Sequence, residues 1–222
     1  MTRPRLLDLF CGAGGAAMGY SRAGFDVVGV DVEHQAHYPF EFVRCDAMRI
    51  LSLLADDAEP WSGAPWFDAI HASPPCQDHM KTPHVAHGTG WMLPASRFYL
   101  ERQHRPWVIE NVPGAPMRAD YRLCGCRFGL MQLRRERWFE TSWQGFEMSP
   151  PHDHRELAIS VVGHGTPTWV RAKLGRNPTI AEYRACMGGI DWMNRDELSQ
   201  AIPPQYTEHI GRALLESMER AA

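Results

Sequence analysis

"RLLDLFCGAGG", residues 5 to 15, decides how the rest of the chain is read. Apolar residues run as far as Phe10 and then give way to Gly12, Gly14 and Gly15. A buried strand that turns on glycines lets the backbone come close to a ligand and exposes amide groups at the N-terminus of a following helix. The same glycines also serve plain strand-to-helix packing, so the turn needs company before it marks a site. Outward along the chain, "DVVGVDV" (26 to 32), "FDAIHAS" (67 to 73) and "WVIENV" (107 to 112) read as further strands, with "FVRCDA" (42 to 47) a shorter one. The stretches between them are long enough for crossover helices. This alternation predicts an α/β fold built on a doubly wound, mainly parallel sheet.

With 222 residues, 44% apolar and 22% charged, the chain has the composition of one soluble globular core. No run approaches the roughly 18 apolar residues of a membrane span, and "MTRPRLLDLF" carries no cleavage pattern, so a cytosolic protein without a membrane partner is expected. Six cysteines at this length read as reduced thiols and not as a disulfide framework. A net charge of −3 argues against a generic polyanion binder, yet the charge is uneven. Residues 1 to 60 hold five Arg against nine acids, whereas residues 97 to 137 hold nine Arg against four. Residues 166 to 185 add Arg171, Lys173, Arg176 and Arg184 against Glu182. An acidic first part suits a cationic ligand and a basic later part suits phosphates, although solvated surface arginines give the same pattern.

Around residues 140 to 175 the periodicity breaks at "SPPHDH" and "GHGTPT", which predicts an inserted lobe. "PQYTEHIGRALLESMERAA" then places Ile210, Leu214, Leu215 and Met218 near helical spacing behind Pro203 and Pro204, so a helix closes the chain. The expected organisation is a catalytic and cofactor-binding core over 1–139, a short recognition lobe over 140–175, and a segment over 176–222 that returns to the core.

Three places along these strands carry chemistry. Asp31 ends the second strand 21 residues beyond Phe10, about the spacing at which a carboxylate receives ribose hydroxyls in nucleotide-binding βαβ units. Asp46, at the end of the short strand, is placed to accept from an adenine amino group, or is an ordinary strand-end acid. "SPPCQ" puts Cys76 just past the fourth strand, where ligands of open parallel sheets sit. Pro74 and Pro75 restrict the backbone there, and a thiol held in one place suggests a nucleophile. "ENV" ends the next strand and brings Glu110 and Asn111 to the same rim. A charge at Glu110, within an apolar run, is costly unless its pKa is raised, which would make it a proton donor.

Together these motifs resemble the S-adenosylmethionine-dependent DNA cytosine-C5 methyltransferases. "DLFCGAGG", "PPCQ", "ENV", "RRERWF", "RNPTIAEYRACMG" and "QAIPPQYTEHIG" occur in that family's order from residue 6 to residue 215. The resemblance implies a Rossmann-like class I methyltransferase fold, the cofactor S-adenosyl-L-methionine, and double-stranded DNA as partner in a bacterial or phage-infected cell. It also implies Cys76 as nucleophile, Glu110 as the acid at cytosine N3, and Arg135 and Arg137 holding the base and its phosphate neighbourhood. Phe10, Gly12, Gly14, Gly15, Asp31, Asp46, Pro75, Ala201 and Ile202 would hold the cofactor. Gln77 and Asn111 would position the catalytic loop and strand, and residues 77 to 92, hinged at Gly88 and Gly90, would close over a flipped base. One of the two arginines is expected to lower the thiol pKa.

The chain departs from the family's pattern in three places. Leu133 stands where the family usually has Gln, and Ser199-Gln200-Ala201-Ile202 where Gly-Asn is common. Only about 36 residues, 140 to 175, stand where relatives usually carry a much larger recognition region, so sequence reading of the duplex should be short or lax. This compact layout resembles solitary phage methylases. Cys124, Cys126, His152 and His154 form C-x-C and H-x-H pairs able to bind zinc, but the spacing is not a usual finger; no metal is assigned, and a turn plus a surface loop is expected. Trp138, Trp143 and Trp169 are taken as packing residues, with stacking on bases the alternative, and His164 and Thr166 as turn formers or contacts to phosphate or the target strand. RNA or a free cytidine nucleotide remains an alternative acceptor, and a non-catalytic nucleic-acid-binding relative an alternative class.

Overall fold

The computed structural model describes residues 2–76, 88–145, 147, 152, 154, 158, 159, 161 and 166–221. Gln77, most of the expected closing loop, and His164 lie outside the described residues. One sheet contains β1 (Arg5–Leu9), β2 (Asp26–Asp31), β3 (Glu41–Arg44), β4 (Ala69–Ala72), β5 (Trp107–Asn111), β6 (Tyr121–Leu123) and β7 (Arg137–Thr141), in the order β3-β2-β1-β4-β5-β7-β6. The first five run parallel, and β7 inserts antiparallel between β5 and β6. The doubly wound α/β expectation holds. The third strand is shorter than 42–47 and starts one residue earlier, because Asp46 is already the N-cap of the next helix, α2 (Ala47–Ala55). β6 and β7 have no counterpart in the strand pattern of the sequence. Arg122, Arg137 and Glu140 break their apolar alternation, and it is pairing with β5 that holds them extended.

Strand order reverses between β1 and β4, since the chain builds outward to β3 and then returns to build the other way. The crevice beyond the carboxyl ends of β1 and β4 is therefore the place where a ligand fits an open sheet. Side-chain alternation splits the strands between two cores. Leu6, Ala69 and Val108 face α1 (Gly15–Ala23) and α7 (Pro204–Ala221). Leu7, Leu9, Ile70 and Ile109 face α2 and α3 (Met92–Leu100).

The closing helix predicted after Pro204 lies tightly against α1. A Cβ at Gly19 would collide with Thr207 Oγ1 and Pro204 O and come within 2.6 Å of Glu208 N, and one at Gly211 would come within 2.7 Å of the Ala23 Cβ. Thr207 Oγ1 donates to Ala16 O at 2.9 Å across this contact. A third cluster joins Ala13, Leu133, Ile159 and Val161 to residues around α5 (Ile180–Cys186) and α6 (Arg195–Gln200), which follow α4 (Thr168–Leu174). Both α5 and α6 start on a complete capping box, Thr179 with Glu182 and Asn194 with Glu197. Leu133 faces this apolar cluster, which accounts for a leucine where a polar residue is usual. Among the described residues no helix is long and apolar enough to cross a membrane.

Because backbone atoms of Pro204 and Glu208 as well as the Thr207 hydroxyl meet the added methyl at Gly19, Gly19→Ala should destabilise the protein by about 1–3 kcal/mol. The measurement is a lower urea midpoint at unchanged m-value.

Candidate active site

The turn after β1 is built for close approach. Phe10 adopts φ +58°, a left-handed backbone unusual for a residue with a Cβ, and Gly12 and Gly14 follow at +48° and +85°. Cys11 N–H donates to Val30 O at 3.1 Å and Gly14 N–H to Cys11 O at 3.1 Å, which hold the turn in this form. A Cβ on Gly12 would meet nothing within 4 Å, so the outer face of the turn is open. On Gly15 it would strike Ile202 O at 2.5 Å and lie 3.2 Å from the Ala201 Cβ. Residues nearly the whole chain apart thus share one site. Trp192 Nε1 adds a 2.8 Å bond to Ala13 O.

Asp31 accepts from Gly12 N–H through Oδ2 and from Glu33 N–H through Oδ1, both at 3.0 Å. Each carboxylate oxygen retains a lone pair for a further donor. Asp46 is exposed and caps α2 by accepting from Met48 N–H at 2.9 Å. An open glycine turn, a carboxylate ending β2 and an acid after β3 suit a nucleoside-bearing cofactor with a cationic centre.

Cys76 stands beyond β4 on a turn anchored from both sides. Toward β1, Ser73 N–H donates to Leu9 O and Ser73 Oγ to Phe10 O, each at 3.2 Å. Toward β5, buried Asn111 donates through Nδ2 to Pro74 O at 3.0 Å, while its Oδ1 accepts from Val112 N–H at 2.9 Å. Asn111 therefore holds the turn that carries Cys76, through a side-chain bond that the sequence does not reveal. No disulfide joins the six cysteines, and Cys76 keeps partial exposure whereas Cys11, Cys124 and Cys186 are buried.

Glu110 is 6% exposed on β5. β7 runs antiparallel beside it, pairing Asn111 with Trp138, so that Arg137 arrives at the end of β5 and its Nε lies 2.9 Å from Glu110 Oε1. The ion pair is not aligned as a hydrogen bond, and among the described residues that oxygen has no hydrogen-bond partner. Burial raises the Glu110 carboxyl pKa, and Arg137 and Arg135 only partly offset it. The direction is the one expected of a carboxyl set within an apolar run.

The thiol behaves differently from expectation. Burial and then the Glu110 charge raise the Cys76 pKa, and the opposing pull of Arg137 and Arg135 is smaller, so the thiol lies above and not below its ordinary value. Arg135 is itself buried, held down to about 9 by burial and by Arg137. Its Nη atoms bind Val161 O at 2.9 Å and Ser199 O at 2.7 Å, and its own carbonyl accepts from Tyr206 O–H at 2.7 Å. Arg135 is thus a strut between the lobe, the C-terminal segment and β7. Nothing in the sequence flags Tyr206, whose partner lies 71 residues away.

Of the tryptophans, Trp143 packs against Tyr121 and bonds its hydroxyl at 3.3 Å, and Trp138 donates to Glu136 at 2.7 Å. Trp169 is instead exposed on α4. Thr166 shares a 2.8 Å hydrogen bond with Tyr183. A concavity of about 500 Å³ lined by Arg118, Asp120, Trp143 and Gln144 opens at the opposite edge of the sheet and has no part in this site.

The sequence model of the C-5 cytosine-specific DNA methylases matches residues 4–114, which hold the glycine turn, Cys76 and Glu110. The chain belongs to the C-5 cytosine-specific DNA methylase family. The Type II methyltransferase M.XorII of Xanthomonas oryzae pv. oryzae is 30% identical over 131 residues, which are 51% of this chain and 29% of that protein. The match to this relative thus spans less than a third of the relative's own length. Three solved methyltransferases share the fold. S. pombe Dnmt2 superposes with a TM-score of 0.61 at 14% identity, covering 97% of this chain and 99% of that one. A putative DNA modification methyltransferase encoded within an E. coli prophage gives 0.57 at 15%, covering 98% and 99%. Entamoeba histolytica EhMeth gives 0.59 at 11%, also covering 98% and 99%.

Two outcomes are expected of this site. Because Glu110 is the larger charged influence on the thiol and raises it, Glu110→Gln should move the pH profile of Cys76 alkylation to lower pH, followed by mass spectrometry of the residue-76 peptide. Asn111→Ala frees the Pro74 carbonyl and should slow methyl transfer by about 10²-fold with donor affinity unchanged, as measured by single-turnover kinetics and calorimetry.

Proposed function

We propose that the chain methylates C5 of cytosine in double-stranded DNA through a covalent adduct between Cys76 and C6. The observation that carries this reading is the pairing, at the ends of adjacent strands, of an anchored, partly open thiol with a buried carboxyl whose Oε1 has no hydrogen-bond partner among the described residues. S-adenosylmethionine fits the open face over Gly12, with Phe10, Gly14, Gly15, Pro75, Ala201 and Ile202 forming the cradle, Asp31 at the ribose and Asp46 at the adenine. Bound there, it supplies the electrophilic methyl that an activated C5 takes up.

The protein's own groups do the activation. Cys76 Sγ bonds to C6 while Glu110 delivers a proton to N3, which turns the C5–C6 double bond into an enamine-like nucleophile at C5. After C5 is methylated, loss of H5 to a base and of the thiolate from C6 restores the aromatic ring, and Glu110 takes back its proton. Since the free thiol has a raised pKa, it gives its proton to solvent only as Sγ bonds to C6. Arg137 steadies Glu110 and the base, and Arg135 adds positive potential from its buried position. A duplex hides C6 within the stack, so the cytosine must be flipped out. Residues 140–175 serve as the target-recognition lobe, and their small number favours very short or relaxed sites.

Cys76→Ser should abolish transfer while donor binding persists, and Glu110→Gln should slow it by about 10²–10⁴-fold even though its thiol ionises more readily. DNA containing 5-fluorocytosine, incubated with the donor, should leave a mass adduct on residue 76. Competition among duplex DNA, transfer RNA and deoxycytidine monophosphate tests the acceptor. Preferred methylation of either of the latter two would replace DNA as the substrate, and absence of an adduct with every acceptor would reject the covalent route.

A further inference from the structure

Cys124 follows β6 in extended backbone, and Cys126 stands in the 3-10 turn Gly125–Phe128. Gly125 lets that turn lie flat, since a Cβ there would meet Leu133 O at 2.5 Å. His152 and His154, whose spacing from these cysteines is not that of a usual finger, come back onto the same turn. The four ligand atoms all lie within 4.8 Å of one another. Cys124 Sγ is 3.3 Å from His154 Nε2, and Cys126 Sγ is 3.8 Å from His152 Nδ1. A tetrahedron with Zn–S of about 2.3 Å and Zn–N of about 2.0–2.1 Å has edges of roughly 3.3–3.8 Å.

The outer nitrogens of both imidazoles are also engaged. His152 Nε2 lies 3.0 Å from Glu136 Oε2, and His154 Nδ1 lies 3.1 Å from Met131 O. Each acceptor calls for N–H on the outer nitrogen, which leaves the lone pair of the inner nitrogen directed at the thiols. This is how carboxylates and carbonyls orient metal-binding histidines. The two rings stack at 5.6 Å and 20°. Paired S–H···N hydrogen bonds would satisfy each thiol separately, but they do not call for all four donors to share one centre.

We propose that Cys124, Cys126, His152 and His154 bind one structural Zn²⁺. Two sulfurs and two nitrogens in tetrahedral reach suit zinc, and four protein ligands close the coordination shell, which marks a structural ion and not a catalytic one. Binding displaces one proton from each thiol and leaves a centre without net charge, beside which Glu136 holds His152. The ion fastens the 140–175 lobe to the segment carrying Arg135 and Arg137, since Glu136 lies between those two arginines. A stretch of about 36 residues is below the size at which a hydrophobic core alone holds an independent unit, and a metal is a common substitute.

The test uses the full chain purified under reducing conditions. Elemental analysis should find one zinc per chain. After chelation, Co²⁺ should titrate to one equivalent, with the thiolate charge-transfer and strong visible bands of tetrahedral cobalt. Glu136→Gln should retain these bands with affinity about 10–100-fold weaker. His152→Ala, at an exposed position that folding tolerates, should weaken binding further, and Cys124→Ser/Cys126→Ser should remove the charge-transfer band. The proposal is overturned if the wild-type chain holds no stoichiometric zinc and gives no saturable tetrahedral cobalt spectrum. It is equally overturned if the spectrum survives in the double cysteine variant. Since the readout is metal binding, it stands or falls separately from the choice of methyl acceptor.

Discussion

The placement of Cys76 depends on where the carbonyl of Pro74 finds its hydrogen-bond donor. Two consecutive prolines stiffen the turn but supply no N–H groups, so neighbouring strands must hold it. β4 lies between β1 and β5, and each sends what is needed: Leu9 and Phe10 offer carbonyls to Ser73, and Asn111 offers an amide to Pro74. The parallel register of β1, β4 and β5 therefore does more than bury Leu7, Ile70 and Ile109. It also sets the glycine turn after β1 beside the turn that carries Cys76.

The same rim carries charge that the interior tolerates poorly. A carboxylate taken out of water costs several kcal/mol unless it is paired, and Glu110 is nearly inaccessible. Inserting β7 antiparallel beside β5 brings Arg137 to it, and Arg135 two residues earlier is anchored on Val161 O and Ser199 O. Burial nonetheless raises the pKa of both Glu110 and Cys76 above their ordinary values, by more than the two arginines lower them.

The C-terminal helix connects these features. Tyr206 holds the carbonyl of Arg135 and the adjacent Thr207 holds that of Ala16, so neighbouring residues of α7 grip the arginine segment and the first helix. Just before α7, Ala201 and Ile202 close over Gly15. The third cluster, drawn from Ala13, Leu133, Ile159 and the α5–α6 region, braces the glycine turn from outside. Ile159 and Val161 are thereby held against residues of the first turn and of the C-terminal segment together.

The local signals were enough for the five parallel strands, the closing helix, the glycine turn, and the thiol and carboxyl at successive strand ends. Apolar density, glycine and proline act over a few residues and are written directly in the chain. What sequence could not supply was anything set by pairing or by distance. β6 and β7 are strands because β5 offers them an edge, although their composition is mixed. The Cys76 pKa rises because burial outweighs two nearby arginines, a balance of desolvation against charge that depends on depth. His152 and His154 approach Cys124 and Cys126 because a glycine turn and the β7 segment bring them together. Residue types and their order named the family; the tertiary structure decided which charges are buried, which carbonyls are held, and which distant side chains share a centre, because those energies depend on separation in space.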